Sequence, residues 1–122
     1  MKTKVLIFKD GKGNAPLIEW LKSQPAKARV KCIAKIERLG LMGHKLRRPD
    51  CDYLTEGIYE LRARDGNVNY RILYGFVGQS IALLSHGCTK EKEVPVKEIN
   101  KAVEDMAIFR KNPDNHSLEF EV

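Results

Sequence analysis

One short stretch, IYELRARDGNVNYRILY (residues 58–74), constrains the fold more than any other part of the chain. Asp65-Gly66 is a strong signal for a two-residue hairpin turn, because glycine reaches the positive φ such a turn needs. A turn centred there sets Arg64 against Asn67, Ala63 against Val68, Arg62 against Asn69, Leu61 against Tyr70, Glu60 against Arg71 and Tyr59 against Ile72. Side chains alternate along a strand, and opposed residues share a face. One face then carries Tyr59, Leu61, Ala63, Val68, Tyr70 and Ile72, and the other carries Glu60, Arg62, Arg64, Asn67, Asn69 and Arg71.

The flanking segments have the patterns of two helices before the hairpin and one after it. Residues 3–8 (TKVLIF) read as a short buried strand, and Asn14 is the expected cap of a helix over 15–21. Residues 25–39 have helical periodicity that ends at Gly40. Ala26, Val30, Ile33, Ile36 and Leu39 form its apolar arc, and Lys27, Lys31, Lys35 and Arg38 form a narrow basic stripe. That stripe reads as a solvated face rather than a surface tracking phosphates. The segment GLMGHKLRRPDCD reads as a loop, adding Lys45, Arg47 and Arg48 to the basic residues. Strands are expected over 58–64, 67–76 and 79 to 85 or 86. Pro95 opens a last helix in which Val96, Ile99, Val103 and Met106 recur at helical spacing. Residues 113–122 read as a loosely held polar tail.

A turn at Val77-Gly78 sets Tyr74 against Ile81, Ile72 against Leu83 and Asn69 against His86. The third strand thereby brings His86 to the arginine side. The expected fold class is α+β: a small, mainly antiparallel sheet with two N-terminal helices packed on one face, plus a C-terminal helix. The polar face would be a basic platform.

Composition narrows the partners. The 122 residues suit a single domain, with 43% hydrophobic and 31% charged residues, and no apolar run approaches a membrane span. Cys32, Cys51 and Cys88 are odd in number and have no C-x-x-C spacing, so a reducing, cytoplasmic setting is expected, without a zinc site or disulfide framework. The formal net charge of +6 favours polyanionic partners. His44, His86 and His116 are far apart, and no acids flank them in a metal-ligand pattern, so no metal or cofactor is expected.

Arginines on a sheet face suit a phosphodiester, since guanidiniums hold non-bridging oxygens and stabilise charge developing in the transition state. A metal-free ribonuclease would activate the substrate's own 2′-OH, with one group taking that proton and another protonating the leaving 5′-oxygen. His86 and Lys90 are the titratable groups nominated for this, because Tyr70 and Tyr74 fall on the core face. The bland alternative is that Glu60 pairs with Arg71, the other arginines are solvated and His86 is structural.

The stretch YELRARDGNVNYRILYGFVGQSIALLSHGCTKEKEVPVKEINKA resembles the core of the RelE/ParE toxin superfamily, in its HigB-like, phage-derived branch. The likeness lies in a YELR strand, an arginine-containing second strand, a third strand ending near histidine and glycine, a lysine-rich segment with proline, and an E-I-x-x-A helix. It implies a RelE-like fold and the toxin of a type II toxin-antitoxin pair. Such a toxin cuts mRNA in the ribosomal A site and is neutralised by a small antitoxin, often of the helix-turn-helix kind. Carried over by position, Arg62, Arg71, His86 and Lys90 are the catalytic candidates; on the reading of the basic face and loop, Arg64, Asn69, Lys45, Arg47, Arg48 and Lys92 would hold RNA. The chain departs from the family pattern with Cys88 in place of phenylalanine, Glu91 in place of a lysine, and a segment before Pro95 one residue short. It also has no tyrosine after Tyr74. Two alternatives share the scaffold: a ParE-like gyrase inhibitor, and a catalytically silent relative that binds an antitoxin.

Overall fold

The computed structural model describes residues 2–89 and 93–120. In chain order the elements are β1 (Lys4–Phe8), α1 (Pro16–Lys22), α2 (Ala26–Met42), β2 (Cys51–Thr55), β3 (Ile58–Asp65), β4 (Val68–Val77), β5 (Ile81–Thr89), α3 (Val96–Lys111) and β6 (Ser117–Glu119), with short 3₁₀ turns at Gly43–Lys45 and Pro113–Asn115. The strands form one six-stranded sheet in the order β2-β3-β4-β5-β1-β6. Every pairing is antiparallel except β1 with β5. The chain is thus an α+β fold with a mostly antiparallel sheet and three helices.

The hairpin turn lies one residue later than expected. Asp65 pairs with Val68, Arg64 with Asn69, Ala63 with Tyr70, Arg62 with Arg71 and Leu61 with Ile72. The turn residues are Gly66 and Asn67, and Gly66 adopts φ 60°. Glycine at the first central position serves a right-twisting hairpin turn, since only there is positive φ free of strain. The partner of each β3 residue moves by two, an even number, so the composition of each face is unchanged.

The third strand differs more. Val77 pairs with Ile81 and Tyr74 with Leu84, an odd shift from the expected register that reverses which β5 side chains face which way. A bulge between Leu73 and Tyr74 leaves Ser85 as the extra residue and restores the expected parity, so Leu73 pairs with His86 and Arg71 with Cys88. His86 still reaches the arginine side, opposite Leu73 rather than Asn69.

Helices lie on both faces of the sheet, so the polar face is a basic platform only at its arginine end. On one face α1 and α2 bury Leu17, Leu21, Ala28, Cys32, Ile36 and Leu39 against Leu61, Tyr70, Ile72, Tyr74, Ala82 and Leu84. Across the other face α3 packs Ala102, Met106 and Phe109 on Leu6, Phe8, Ile58, Leu73 and Leu83. The buried stripe of α2 runs through Ala28, Cys32, Ile36 and Leu39, while Val30 of the expected arc is 66% exposed. On α3 the stripe includes Ala102 and Phe109, and Val96 faces solvent.

Local chemistry accounts for the other shifted boundaries. Asn14 does not cap α1; the cap is Ala15, with Pro16 in the first turn. The carboxylate of Asp10 takes the amides of Lys12 and Asn14, each at 2.9 Å, and closes the preceding loop. α2 passes through Gly40 and ends at Gly43, whose φ is 53°. Gly87 is needed for close approach: a Cβ there would lie 2.2 Å from the Trp20 ring of α1. Two strands escape the sequence patterns. β2 begins at the end of the expected loop and runs on to Thr55, and β6 pairs with β1 in the segment expected to be a loose tail.

Candidate nucleic-acid interface

Alternation along β3 and β4 places Glu60, Arg62, Arg64, Asn69 and Arg71 on the face that α3 covers. α3 overlies only the part built from Ile58, Leu73 and Leu83, leaving the arginine end beside it accessible. Arg62 and Arg71 are direct partners across the two strands. Their side chains are 38% and 14% exposed, and Glu60 between them is 2% exposed.

Glu60 holds both guanidiniums. Arg62 Nε donates to its Oε1 at 3.0 Å, with Arg62 Nη2 in ion-pair contact at 2.8 Å, and Arg71 Nη1 donates to its Oε2 at 3.0 Å. Asp52, on β2, lies 3.3 Å from Arg62 Nη2 and 2.8 Å from Arg48 Nη2. The hydrogen bond from Arg48, then its charge and that of Arg62, hold the Asp52 carboxyl below its usual pKa despite the opposing cost of desolvation. Charge-assisted bonds of this kind set direction as well as energy.

Two clefts flank the pair. One of about 310 Å³ is lined by Lys35, Arg62, Arg64, Asn69 and Arg71 among others. The second, of about 440 Å³, lies toward the start of α3 and is lined by Tyr53, Leu54, Val94 and Ile99, by Arg62 and Arg71, and by the carboxylates of Asp52, Glu60 and Glu93. The first offers cations and an amide beside Tyr70 and Pro49; the second pairs the two arginines with carboxylates under aromatic and aliphatic walls. A phosphate at the arginines would therefore have room on either side for the rest of a nucleotide chain.

The structure brings some of the remaining candidates to this face and keeps others away. Arg64 Nε donates to the carbonyl of Gly66 at 3.0 Å, on the exposed hairpin tip. Arg48 joins the site through Asp52, whereas Arg47 turns back on its own loop and donates to the carbonyls of His44 and Leu46. Lys45 is exposed on the 3₁₀ turn. Lys90 and Lys92 lie outside the described residues. On α2, Lys31 pairs with Asp65 at 2.9 Å, and Lys35 and Arg38 both pair with Asp50, so the basic stripe is largely neutralised against the sheet edge. Sequence reasoning missed Asp50 and Asp52. Both sit in the RRPDCD run, and only the pairing of β2 with β3 reveals what they touch.

His86 is 5% exposed beneath α3. Its Nδ1 lies 2.8 Å from Ser85 Oγ, and Ser85 Oγ donates to Asp105 Oδ2 at 2.7 Å. The hydroxyl has one proton, which goes to Asp105, so Nδ1–H of His86 donates to Oγ. Nε2 lies 3.3 Å from Glu98 Oε1 without making a hydrogen bond among the described residues. Burial, the largest influence, lowers the His86 pKa against the opposing pull of Glu98. Burial likewise raises that of Asp105. His86 is thus a neutral group in a closed polar chain rather than an open proton donor.

Among the described residues, no group of three or more His, Cys, Asp and Glu side chains is placed to hold a metal ion, and no helix is long and apolar enough to cross a membrane. The chain matches the family described as Phage derived protein Gp49-like (DUF891) over residues 19–107, a span that contains α2, β2 to β5 and most of α3. None of the curated proteins matches it.

Proposed function

The chain belongs to the phage-derived Gp49-like family, and on that premise we propose that it is the toxin of a type II toxin-antitoxin pair, acting as a ribosome-dependent mRNA endoribonuclease. The observation that carries this reading is the direct opposition of Arg62 and Arg71 on the uncovered end of a sheet face, between two clefts. Two guanidiniums at that spacing suit the non-bridging oxygens of one phosphodiester. As the substrate's 2′-OH attacks, they stabilise the charge that builds on phosphorus-bound oxygen. Arg64 and Asn69 hold the adjoining backbone, aided by Arg48, and Lys45, Arg47 and Lys92 add positive charge that favours RNA. Lys90 is the proposed proton carrier. His86, buried beside Ser85, acts through the strand that carries it. The partners in this reading are a ribosome with its mRNA and a small antitoxin that covers the arginine face.

The burial of His86 favours one competing reading. A basic face without an accessible proton carrier among its described residues suits a protein that binds without cutting, such as a gyrase inhibitor of the ParE kind. Purified protein added to a translating extract, with and without ribosomes, separates the two when new RNA 5′ ends are mapped. Cuts at in-frame codon positions that require ribosomes support the nuclease. Intact transcripts together with inhibited supercoiling support the gyrase inhibitor.

A further inference from the structure

Glu60 is 2% exposed and diagonal to Arg71 on the same face, two residues before Arg62. A carboxylate so far from water requires matched charge and hydrogen bonds. It has both: Oε1 accepts from Nε of Arg62 and lies in ion-pair contact with Nη2, and Oε2 accepts from Nη1 of Arg71. Without it, two guanidiniums directly opposite on neighbouring strands would repel each other and swing apart. With Arg48 and Asp52 included, three guanidiniums and two carboxylates leave a net charge of +1 at the cluster. Among the described residues, Nη1 of Arg62 and Nη2 of Arg71 make no hydrogen bond, and Nε of Arg71 is buried without a partner, so each fork is held on one side and its free Nη group is left for a ligand.

We propose that Glu60 is a positioning residue that orients the Arg62 and Arg71 guanidiniums before an anion arrives, leaving their remaining N–H groups to grip one phosphate. The inference rests on the reading of these arginines as the phosphate clamp. Glu60 touches no substrate; its effect is that the forks are set during folding, so no reorganisation is needed when the phosphate binds. A glutamine would keep the shape, but its NH₂ group would oppose one of the two donors.

The test uses the full chain, labelled with ¹⁵N, and reads the Nε–Hε signal of Arg62 and the Nη signals of Arg71, assigned with Arg62→Lys and Arg71→Lys. In the wild-type protein the Arg62 Nε–Hε signal is expected to be dispersed and slow to exchange with solvent and the Arg71 Nη signals to show hindered rotation, and in Glu60→Gln both move to the behaviour of unheld arginines. Wild-type signals that are already averaged and fast-exchanging would overturn the proposal, even if Glu60→Gln fails to fold. Ribosome-programmed RNA cleavage supplies the second readout. Positioning predicts a loss of about 10²-fold in kcat for Glu60→Gln, the scale expected when a clamp is misplaced by about 1 Å. If Glu60 only neutralised charge, removing it would tighten RNA binding and leave kcat unchanged, which also overturns the proposal. A wild-type protein that cuts no RNA removes the nuclease reading, while the arginine signals still decide the role of Glu60.

Discussion

Ser85 donates a hydrogen bond of 2.7 Å to Asp105, joining the bulge of β5 to the buried side of α3. The two residues are 20 positions apart, and the contact exists because the bulge turns Ser85 and His86 toward the same helix. Ser85→Ala would leave the carboxyl of Asp105 buried without this donor. The expected loss is about 1–3 kcal/mol of stability, measured by urea unfolding.

The same cluster predicts a pH dependence. His86, lowered by burial and facing Glu98, Lys101 and Asp105 of α3, binds its proton less readily in the folded than in the unfolded chain. Its contribution to stability is therefore present above about pH 6.5 and is lost as pH falls from there through the folded pKa. Asp105 works in the opposite sense, since a raised carboxyl pKa favours the folded state at low pH and loses that advantage as pH rises from about 3.8 through the folded pKa. His86→Gln should flatten the loss of stability on acidification from pH 7 to about pH 5, read as the shift in urea midpoint.

Replacing either clamp arginine separates function from stability. Both Arg62→Ala and Arg71→Ala are expected to reduce RNA cleavage by at least about 10²-fold. Arg71, at 14% side-chain exposure, is also the more buried partner of Glu60. Its removal should cost about 2–4 kcal/mol of stability, and that of Arg62 less, because Arg62 is half-exposed and Asp52 shares its charge. Cleavage assays run beside thermal melts check both statements.

Arg64, on the hairpin tip, should act through charge alone. Arg64→Ala is expected to weaken RNA binding uniformly across sequences and to reduce the slope of log K against log salt by about one. A salt titration of RNA binding by wild type and variant measures this directly.

Gly87 and Trp20 form a steric pair, with a Cβ at position 87 placed 2.2–2.6 Å from three ring carbons. Gly87→Ala should cost about 1–3 kcal/mol, because the ring belongs to a packed helix and must move bodily. The cost should shrink in a Trp20→Leu background, and a double-mutant cycle of unfolding free energies gives the coupling.

The hairpin faces were legible in the sequence because alternation has a period of two and the turn shifted every partner by an even number. Arg62, Arg64 and Arg71 therefore share a face in either register. The odd shift of β5 was not legible: the turn before it is longer than the Val77-Gly78 signal implies, and the compensating bulge at Ser85 has no local mark in the sequence. Helix existence followed from apolar spacing, but the buried stripe of α2 was misjudged because Val30 and Ala28 are both apolar and only packing chooses between them.

What the amino-acid sequence determined by itself is therefore local and periodic: two helices before a hairpin, one after it, and arginines gathered on one side of the strands. What only the tertiary structure decided is long-range. α3 covers half of the arginine face, β6 docks on β1, and Asp50 and Asp52 reach the cations of α2 and β3. The physical reason is that a strand's alternation depends on its own backbone, whereas burial and ion pairing depend on which distant segment folds against it.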